Sequence, residues 1–244
     1  MMRMLLVRGM FAGLVAGVLA LVFARVIGEP SVGAAIDFES AEATAAGEPP
    51  EPELVSRAVQ STLGLATGVL VYAVAFGGLF ALAFAVAYGR IGRLDARATA
   101  LVLGVGGYLS AFVVPFLKYP ANPPSIGNAD TIDERTVTYF LMVAVSVGCA
   151  IAAACLGRRL MSRLGAWNAT LVAVLAFVVA LSVAGLLFPA VDEVPKEFPA
   201  DVLWSFRVAS LGTQLIMWTT IALLFGVLVR RRLPADRQLA GQPG

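Results

Sequence analysis

The chain has 244 residues, of which 59% are hydrophobic and 14% are charged, and its formal net charge at pH 7 is +2. A soluble domain of this length needs many more polar side chains to cover its surface, whereas a protein embedded in a bilayer does not. The composition therefore excludes a soluble globular protein and predicts an all-α integral membrane protein.

Apolar segments of about 20 residues, the length that spans a bilayer as a helix, recur along the whole sequence. We predict six transmembrane helices, at about 9–27, 62–87, 98–117, 137–156, 167–188 and 208–229. Short polar segments separate them, so we expect a single membrane domain over residues 1–244, in contact with the lipid bilayer.

Basic and acidic residues are distributed asymmetrically between alternate loops. If both termini are cytoplasmic, twelve of the eighteen basic residues lie on the inner side and fourteen of the sixteen acids lie on the outer side. Inner loops rich in arginine are what the positive-inside rule predicts. We therefore expect three hairpins with outer loops, cytoplasmic termini and a multi-pass location in the cell membrane, the inner membrane of a bacterium. The arginines follow topology and do not indicate nucleic-acid binding.

The first apolar segment has two interpretations. Arg3 and Arg8 before an apolar run are compatible with a secretory signal peptide. However, Gly9, Gly13 and Gly17 are spaced four apart, which places small residues on one helix face and lets helices pack closely in lipid. We expect a retained helix.

The first outer loop, residues 28–56, is acidic and contains no Lys or Arg. Its seven acids are Glu29, Asp37, Glu39, Glu42, Glu48, Glu51 and Glu53. The Ala, Glu and Pro composition predicts a mobile segment with at most one short helix near 34–46. The loop is either a solvated linker or an electrostatic funnel that concentrates cations.

The second outer loop, residues 118–135, is the most favourable place for a metal site. Three prolines and Gly127 exclude a continuous helix there. The candidate metal ligands are Asn122, Asn128, Asp130, Asp133 and Glu134, together with Asp201 from the last outer loop. Such oxygen ligands suit Mg, Ca or Mn better than they select cobalt. Thr131 and Glu134 have capping-box spacing, which predicts that the fourth helix starts near Ile132.

A polar face is predicted on the outer half of the sixth span. Arg207, Ser210 and Gln214 follow one another at helical spacing. Such a ridge faces either a neighbouring helix or a water-filled cavity, so these residues form a candidate transport path.

Each outer loop also ends with an acid followed by an arginine. The pairs are Glu53 with Arg57, Glu134 with Arg135, and Asp201 with Arg207. They suggest three hairpins of similar geometry, or arginines that simply snorkel to the interface.

Motifs typical of enzymes are absent from the sequence. The chain has no histidine, which is the commonest general base and transition-metal ligand. It also has no P-loop, GxSxG, HExxH or CxxC motif. We predict that the protein is not an enzyme and holds no permanent cofactor. A membrane enzyme using Lys118, Asp130 and Glu134 is the least favoured alternative.

Three stretches carry a family resemblance: PELVSRAVQSTLGL at 52–65, LKYPANPPSIG at 117–127 and FPADVLWSFRVASLGTQ at 198–214. On these stretches the chain resembles the CbtA family of probable cobalt transporter subunits, over most of its length. The resemblance implies a role in cobalt supply for corrinoid synthesis, with cobalt(2+) as the transported ion. It also implies a small single-span partner subunit, CbtB, that carries histidines.

The function expected from the sequence and the resemblance together is divalent-metal uptake. Acidic outer loops attract the cation, oxygen ligands hold it, and it passes through the helix bundle. The alternative is a non-conducting membrane scaffold for a partner protein. A homo-oligomer is compatible with either function.

Overall fold

The computed structural model describes residues 2–47, 55–92, 94–124, 126–127 and 129–230. Within these ranges every regular secondary-structure element is a helix, which confirms the predicted all-α class. Five helices there are long and apolar enough to cross a membrane: α1 Met2–Ala46, α2 Arg57–Ala87, α3 Ala96–Lys118, α4 Ile132–Leu187 and α5 Ala200–Arg230. A short 3-10 turn, Ala129–Thr131, precedes α4. The predicted fourth and fifth spans both lie within α4.

Helix α1 is longer than the sequence predicts. Its 45 residues correspond to about 68 Å, roughly twice the 30 Å hydrocarbon core of a bilayer. The prediction of only a short helix near 34–46 is wrong, because Glu29–Ala46 is helical throughout. Ala and Glu favour helix, and Phe38 packs edge-to-face on Phe198 with ring centroids 5.1 Å apart. Glu48, Glu51 and Glu53 lie outside the described residues.

Helices α1, α2 and α3 each contain one π-helical turn, in which the backbone is locally wider. These turns are Ala24–Gly28, Gln60–Gly64 and Tyr108–Val113. At the first turn the Ser31 hydroxyl, which is almost fully buried, donates to the Gly28 carbonyl at 2.7 Å. The side chain thus supplies a hydrogen-bond donor to a backbone acceptor at the wider turn.

Contacts among the residues divide the chain into two compact units, which are described separately. The first unit contains α1, α2, α5 and the part of α3 up to Val105. The second contains α3 from Gly106 onward, α4, and the segment that follows α4 as far as Lys196. A single membrane domain over 1–244 stays a prediction.

The first unit is built on close contact between α1 and α2. Gly9, Gly13 and Gly17 are all buried in α1, as the four-residue spacing predicts. A Cβ atom added to Gly77 of α2 would lie 2.9 Å from Gly13 Cα and would also clash with the Gly9 carbonyl oxygen. The two backbones therefore touch, and the predicted small-residue packing face is confirmed.

Aromatic and small residues attach α5 to the rest of the first unit. Phe225 of α5 packs edge-to-face on Phe80 and Phe84 of α2, with ring centroids 5.6 and 5.0 Å apart. On α3, a Cβ added to Gly104 would lie 2.5 Å from the Ala222 Cβ, so those two helices also approach closely. Helix α5 is the most buried of the five.

In the second unit, α4 reverses direction at Gly165. This residue has φ 73° and ψ 166°, a conformation open essentially to glycine alone, and it divides α4 into arms 132–164 and 166–187. A Cβ added to Gly157 would lie 3.2 Å from the Ala173 Cβ. Sixteen residues of straight helix would separate these positions by about 24 Å, so the two arms lie side by side.

Candidate functional site

A carboxylate from the segment after α4 pairs with the first turns of α4. Glu193 Oε2 lies 2.9 Å from Arg135 Nη1, and the Thr131 hydroxyl donates to Glu193 Oε1 at 2.6 Å. Both side chains of the ion pair are largely buried, at 27% exposure for Arg135 and 18% for Glu193. Both oxygens of one carboxylate are therefore used to hold the start of α4.

Gly127 lies directly against this ion pair. Its φ is +122°, and a Cβ added there would be 2.9 Å from Glu193 Oε2 and would clash with the Arg135 guanidinium. Only glycine satisfies both the backbone angle and the space. We call Gly127, Thr131, Arg135 and Glu193 the Glu193 cluster.

A second link joins the end of α3 to the end of α4. The Tyr119 hydroxyl donates to the Pro189 carbonyl at 2.8 Å. Desolvation by burial raises the pKa of the Tyr119 phenol above its usual value of 10.0, so the phenol is protonated and able to donate at neutral pH. Together with the Glu193 cluster, this hydrogen bond holds the start and the end of α4 close to each other.

A cavity of about 240 Å³ lies beside the Glu193 cluster. Its lining residues are Thr131, Glu134, Arg135, Thr138, Pro189, Ala190, Val191, Asp192 and Glu193. Three of them are carboxylates and one is an arginine, so the cavity wall carries a net negative charge and favours a cation over an anion.

The predicted metal ligands are distributed between the two units. Asp130, Asp133 and Glu134 are exposed at the start of α4, and Asn122 is half-buried in the same unit. Asp201 is exposed in the first turn of α5, in the first unit. Asn128 lies outside the described residues. Where the structure describes the chain, no group of three or more His, Cys, Asp or Glu is arranged to hold a metal ion. The ligand set stays a prediction.

The start of α4 is where predicted, but it is held differently. The helix begins at Ile132, which confirms the predicted boundary, with Asp133 and Glu134 in its first turn. The predicted capping box is wrong, because Thr131 makes no side-chain cap hydrogen bond and its hydroxyl bonds to Glu193. A charged acceptor from a distant segment replaces the local cap.

The arginines at the helix starts also have distant partners. Arg135 forms its ion pair with Glu193, not with the adjacent Glu134. Arg57, at the start of α2, forms an ion pair with Glu29 of α1. Glu53, the acid that precedes Arg57 in the repeat noted from the sequence, lies outside the described residues.

The first unit contains an open groove of about 460 Å³ between α1 and α5. It is lined by Ile27, Pro30, Ser31, Asp201, Val202, Trp204, Ser205 and Val208. Asp201 thus borders a groove next to the π-helical turn of α1. Its carboxylate is the one formal charge on a wall that is otherwise made of hydroxyls and apolar side chains.

The predicted polar face of α5 is directed partly at α2. Arg207, Ser210 and Gln214 are all half-buried. The Gln214 side chain hydrogen-bonds to Tyr72 of α2. One turn further on, Trp218 packs edge-to-face on Phe76, with centroids 4.7 Å apart. The inner part of this face therefore contributes to a helix interface.

Glu193 and Glu29 are the site residues that the sequence alone does not single out. Both belong to predicted acidic loops that contain several carboxylates. The sequence does not show which of these carboxylates pairs with an arginine. From the sequence, Gly127 was recognisable as a residue that interrupts a helix. The structural requirement for glycine there depends on contacts with Arg135 and Glu193, which are 8 and 66 residues away.

An all-α chain with several helices that are long and apolar enough to cross a bilayer is a membrane protein. The profile of the family described as "Probable cobalt transporter subunit (CbtA)" matches residues 2–230. The chain belongs to the CbtA family, and the resemblance noted from its loops is confirmed. Membership indicates a subunit of a cobalt transporter, which implies partner proteins. No curated protein and no solved structure matches the chain.

Proposed function

We propose that this chain is the membrane-spanning subunit of a cobalt uptake system and crosses the bilayer six times with both termini in the cytoplasm. The break at Gly165 supports six crossings. It leaves arms of 33 and 22 residues, and each exceeds the roughly 20 residues that a span requires.

The contacts at the two ends of α4 support the orientation of this hairpin. Glu193 bonds to Thr131 and Arg135, so the residues before the first arm and after the second arm lie together. The end of the first arm that leads into the Gly165 turn carries Arg158, Arg159 and Arg163 and no acid. The positive-inside rule assigns that turn to the cytoplasm and the Glu193 cluster to the outer face.

The acids of the outer segments attract the cation in this proposal. Four exposed acids form what we call the acidic rim: Glu134 and Asp192 line the cavity beside the Glu193 cluster, and Asp130 and Asp133 lie just before and in the first turn of α4. A like-charged rim raises the local concentration of divalent ions. Inward movement of a divalent ion down an inside-negative potential then gains about 4.6 kcal/mol per 100 mV, twice the value for one charge.

The proposed ion ligands are oxygen atoms. In the second unit they are supplied by Asn122, Asn128, Asp130, Asp133 and Glu134. In the first unit, Asp201 is followed along α5 by Arg207, Ser210 and Gln214, the proposed path. Oxygen ligands alone do not select cobalt over Mg, Ca or Mn. We assign selectivity to histidines of a small single-span, CbtB-like partner subunit.

The test is cobalt uptake into vesicles by variants of the acidic rim. Asp130→Ala and Glu134→Ala should each lower the initial rate several-fold, and the double variant should abolish uptake. Glu197→Ala is the matched control, because Glu197 is an exposed acid of an outer segment outside the proposed site. If the double variant takes up cobalt as fast as the unsubstituted protein, Asp130 and Glu134 are not ligands of the transported ion.

A non-conducting scaffold is the second candidate function. It is favoured by the exposure of α4: only 6% of its most apolar window is buried within the described structure, leaving a large apolar surface for lipid or a partner. A scaffold would co-purify with a partner protein and would give no ion flux in liposomes that contain both. Flux in those liposomes would exclude this alternative.

A further inference from the structure

A groove of about 340 Å³ lies in the second unit, between α3 and the two arms of α4. Small side chains form most of its wall, including Gly106, Ala150, Ala154, Gly157 and Ala173. Because these residues carry little or no side chain, the three helix segments leave an open apolar slot between them. Gly157 and Ala173 approach each other between the two arms. Where the other small residues face the slot, they leave room for a thin apolar occupant.

The length of the groove matches one leaflet of a membrane. On the first arm its wall runs from Ala150 to Met161, eleven residues or about 16 Å of helix. Half of the 30 Å hydrocarbon core is about 15 Å. Met161 and Thr170 line the end nearest the Gly165 turn, which must be close to the headgroup region because its backbone is not helical.

Positive charge is concentrated at that same end. Arg158 lines the groove, and Arg159 and Arg163 follow before the turn. All three side chains are exposed. No acidic residue occurs from 136 to 191, so the charged side chains of this hairpin are all positive there. A guanidinium has five donors and binds a phosphate through two parallel hydrogen bonds.

We propose that this groove binds an anionic phospholipid, with the phosphate on Arg158 and an acyl chain between α3 and the arms of α4. The charge selects an anionic headgroup. The narrow wall of small residues fits a chain of methylenes, whereas a whole helix with side chains is about 10 Å across. The bound lipid would fill the slot between segments that otherwise touch only in part.

Two matched pairs of variants on one helix test the proposal. Ala154→Phe fills the groove, while Ala152→Phe places the same ring on an exposed alanine that does not line it. Arg158→Gln removes the proposed phosphate contact, while Arg159→Gln removes an equal charge from the adjacent exposed position. The full chain in detergent is titrated with palmitoyl-oleoyl phosphatidylglycerol or phosphatidylcholine, and bound lipids are counted by native mass spectrometry.

The expected result is one tightly bound phosphatidylglycerol per chain, with clearly weaker phosphatidylcholine binding. Arg158→Gln should weaken phosphatidylglycerol binding about fivefold, because it removes roughly one arginine contact at the membrane interface. Ala154→Phe should remove it, Ala152→Phe should leave it unchanged, and Arg159→Gln should weaken it less than Arg158→Gln does. Equal binding of the two lipids, or equal losses within each matched pair, would overturn the proposal. So would an Ala154→Phe variant that changes the mass of an oligomer but not lipid retention, because the groove would then join two copies.

Discussion

At the scale of single residues, Glu193 does the most to define the outer part of the second unit. Its two oxygens bind different partners, Thr131 and Arg135, and it packs against Gly127. Removing its charge leaves the Arg135 guanidinium largely buried without its carboxylate, which costs more than losing an exposed ion pair.

We therefore expect Glu193→Gln to lower the free energy of unfolding by about 1–2 kcal/mol, a value reduced for partial solvent exposure. Thermal unfolding of the detergent-solubilised protein measures the change. Asp192→Asn is the control, because it alters the adjacent, exposed acid by the same chemistry. Equal shifts in the two variants would mean that the Arg135 pairing contributes nothing specific.

Local sequence spacing predicted the packing role of some residues but not the contact partners of others. Gly9, Gly13 and Gly17 were identifiable because helix periodicity alone places them on one face. The partner of that face, Gly77, was not identifiable, because four glycines of the second span are compatible with close packing. The ion-pair partner of Arg135 was not identifiable for the same reason: the pairing depends on where segments 58 residues apart meet.

At the scale of helices, the contact between α1 and α2 is limited by backbone atoms. Gly77 faces the Gly9 carbonyl and Gly13, whereas the next residue, Gly78, has ordinary room, with its added Cβ 3.6 Å from Met10 Cγ. The two glycines are adjacent on one helix and differ mainly in what they face.

Gly77→Ala should lower the free energy of unfolding by about 1–3 kcal/mol, since the helices must move apart. Gly78→Ala should be neutral or stabilising by up to about 1 kcal/mol, because alanine favours helix. Denaturation in mixed micelles compares the two. A larger loss for Gly78→Ala would contradict the close packing described for α1 and α2.

The turn at Gly165 offers a second test at this scale. Gly165→Ala forces a side chain into φ 73°, ψ 166°, which costs about 1–3 kcal/mol. Gly148→Ala in the same segment meets nothing within 4 Å and has ordinary helical geometry, so it should be neutral or stabilising. If the two variants unfold alike, the reversal of α4 does not require this backbone conformation.

Helix boundaries were predictable wherever polarity changes sharply. The break within α4 was expected between 156 and 167 because arginines interrupt the apolar pattern there. The extension of α1 through Glu29–Ala46 was not, since its composition suits either a helix or a solvated coil. The contact of Phe38 with Phe198 joins segments 160 residues apart, and no local pattern reveals it.

At the scale of the whole molecule, the proposed six crossings would place the Gly165 turn and the segment after α4 on opposite sides of the membrane. Single cysteines test this directly in a background of Cys149→Ala and Cys155→Ala, which removes both native thiols. Ser162→Cys and Lys196→Cys occupy exposed positions near the turn and after α4.

A membrane-impermeant maleimide should label Lys196→Cys in intact cells and should label Ser162→Cys only after permeabilisation. The reason is that α4 reverses direction at Gly165, so in the proposed topology its second arm returns through the bilayer. Labelling of Ser162→Cys from outside would contradict the topology. Labelling of both positions after permeabilisation shows that the reagent can reach each thiol.

Cobalt uptake tests the proposed function most directly. Vesicles that contain this chain, with and without the small single-span partner, are given an inside-negative potential and radiolabelled cobalt(2+). We predict accumulation that saturates, is competed by nickel, falls when the potential is removed, and is lost in the Asp130→Ala/Glu134→Ala variant. No accumulation above empty vesicles in either preparation would contradict transport by this subunit and would favour the scaffold.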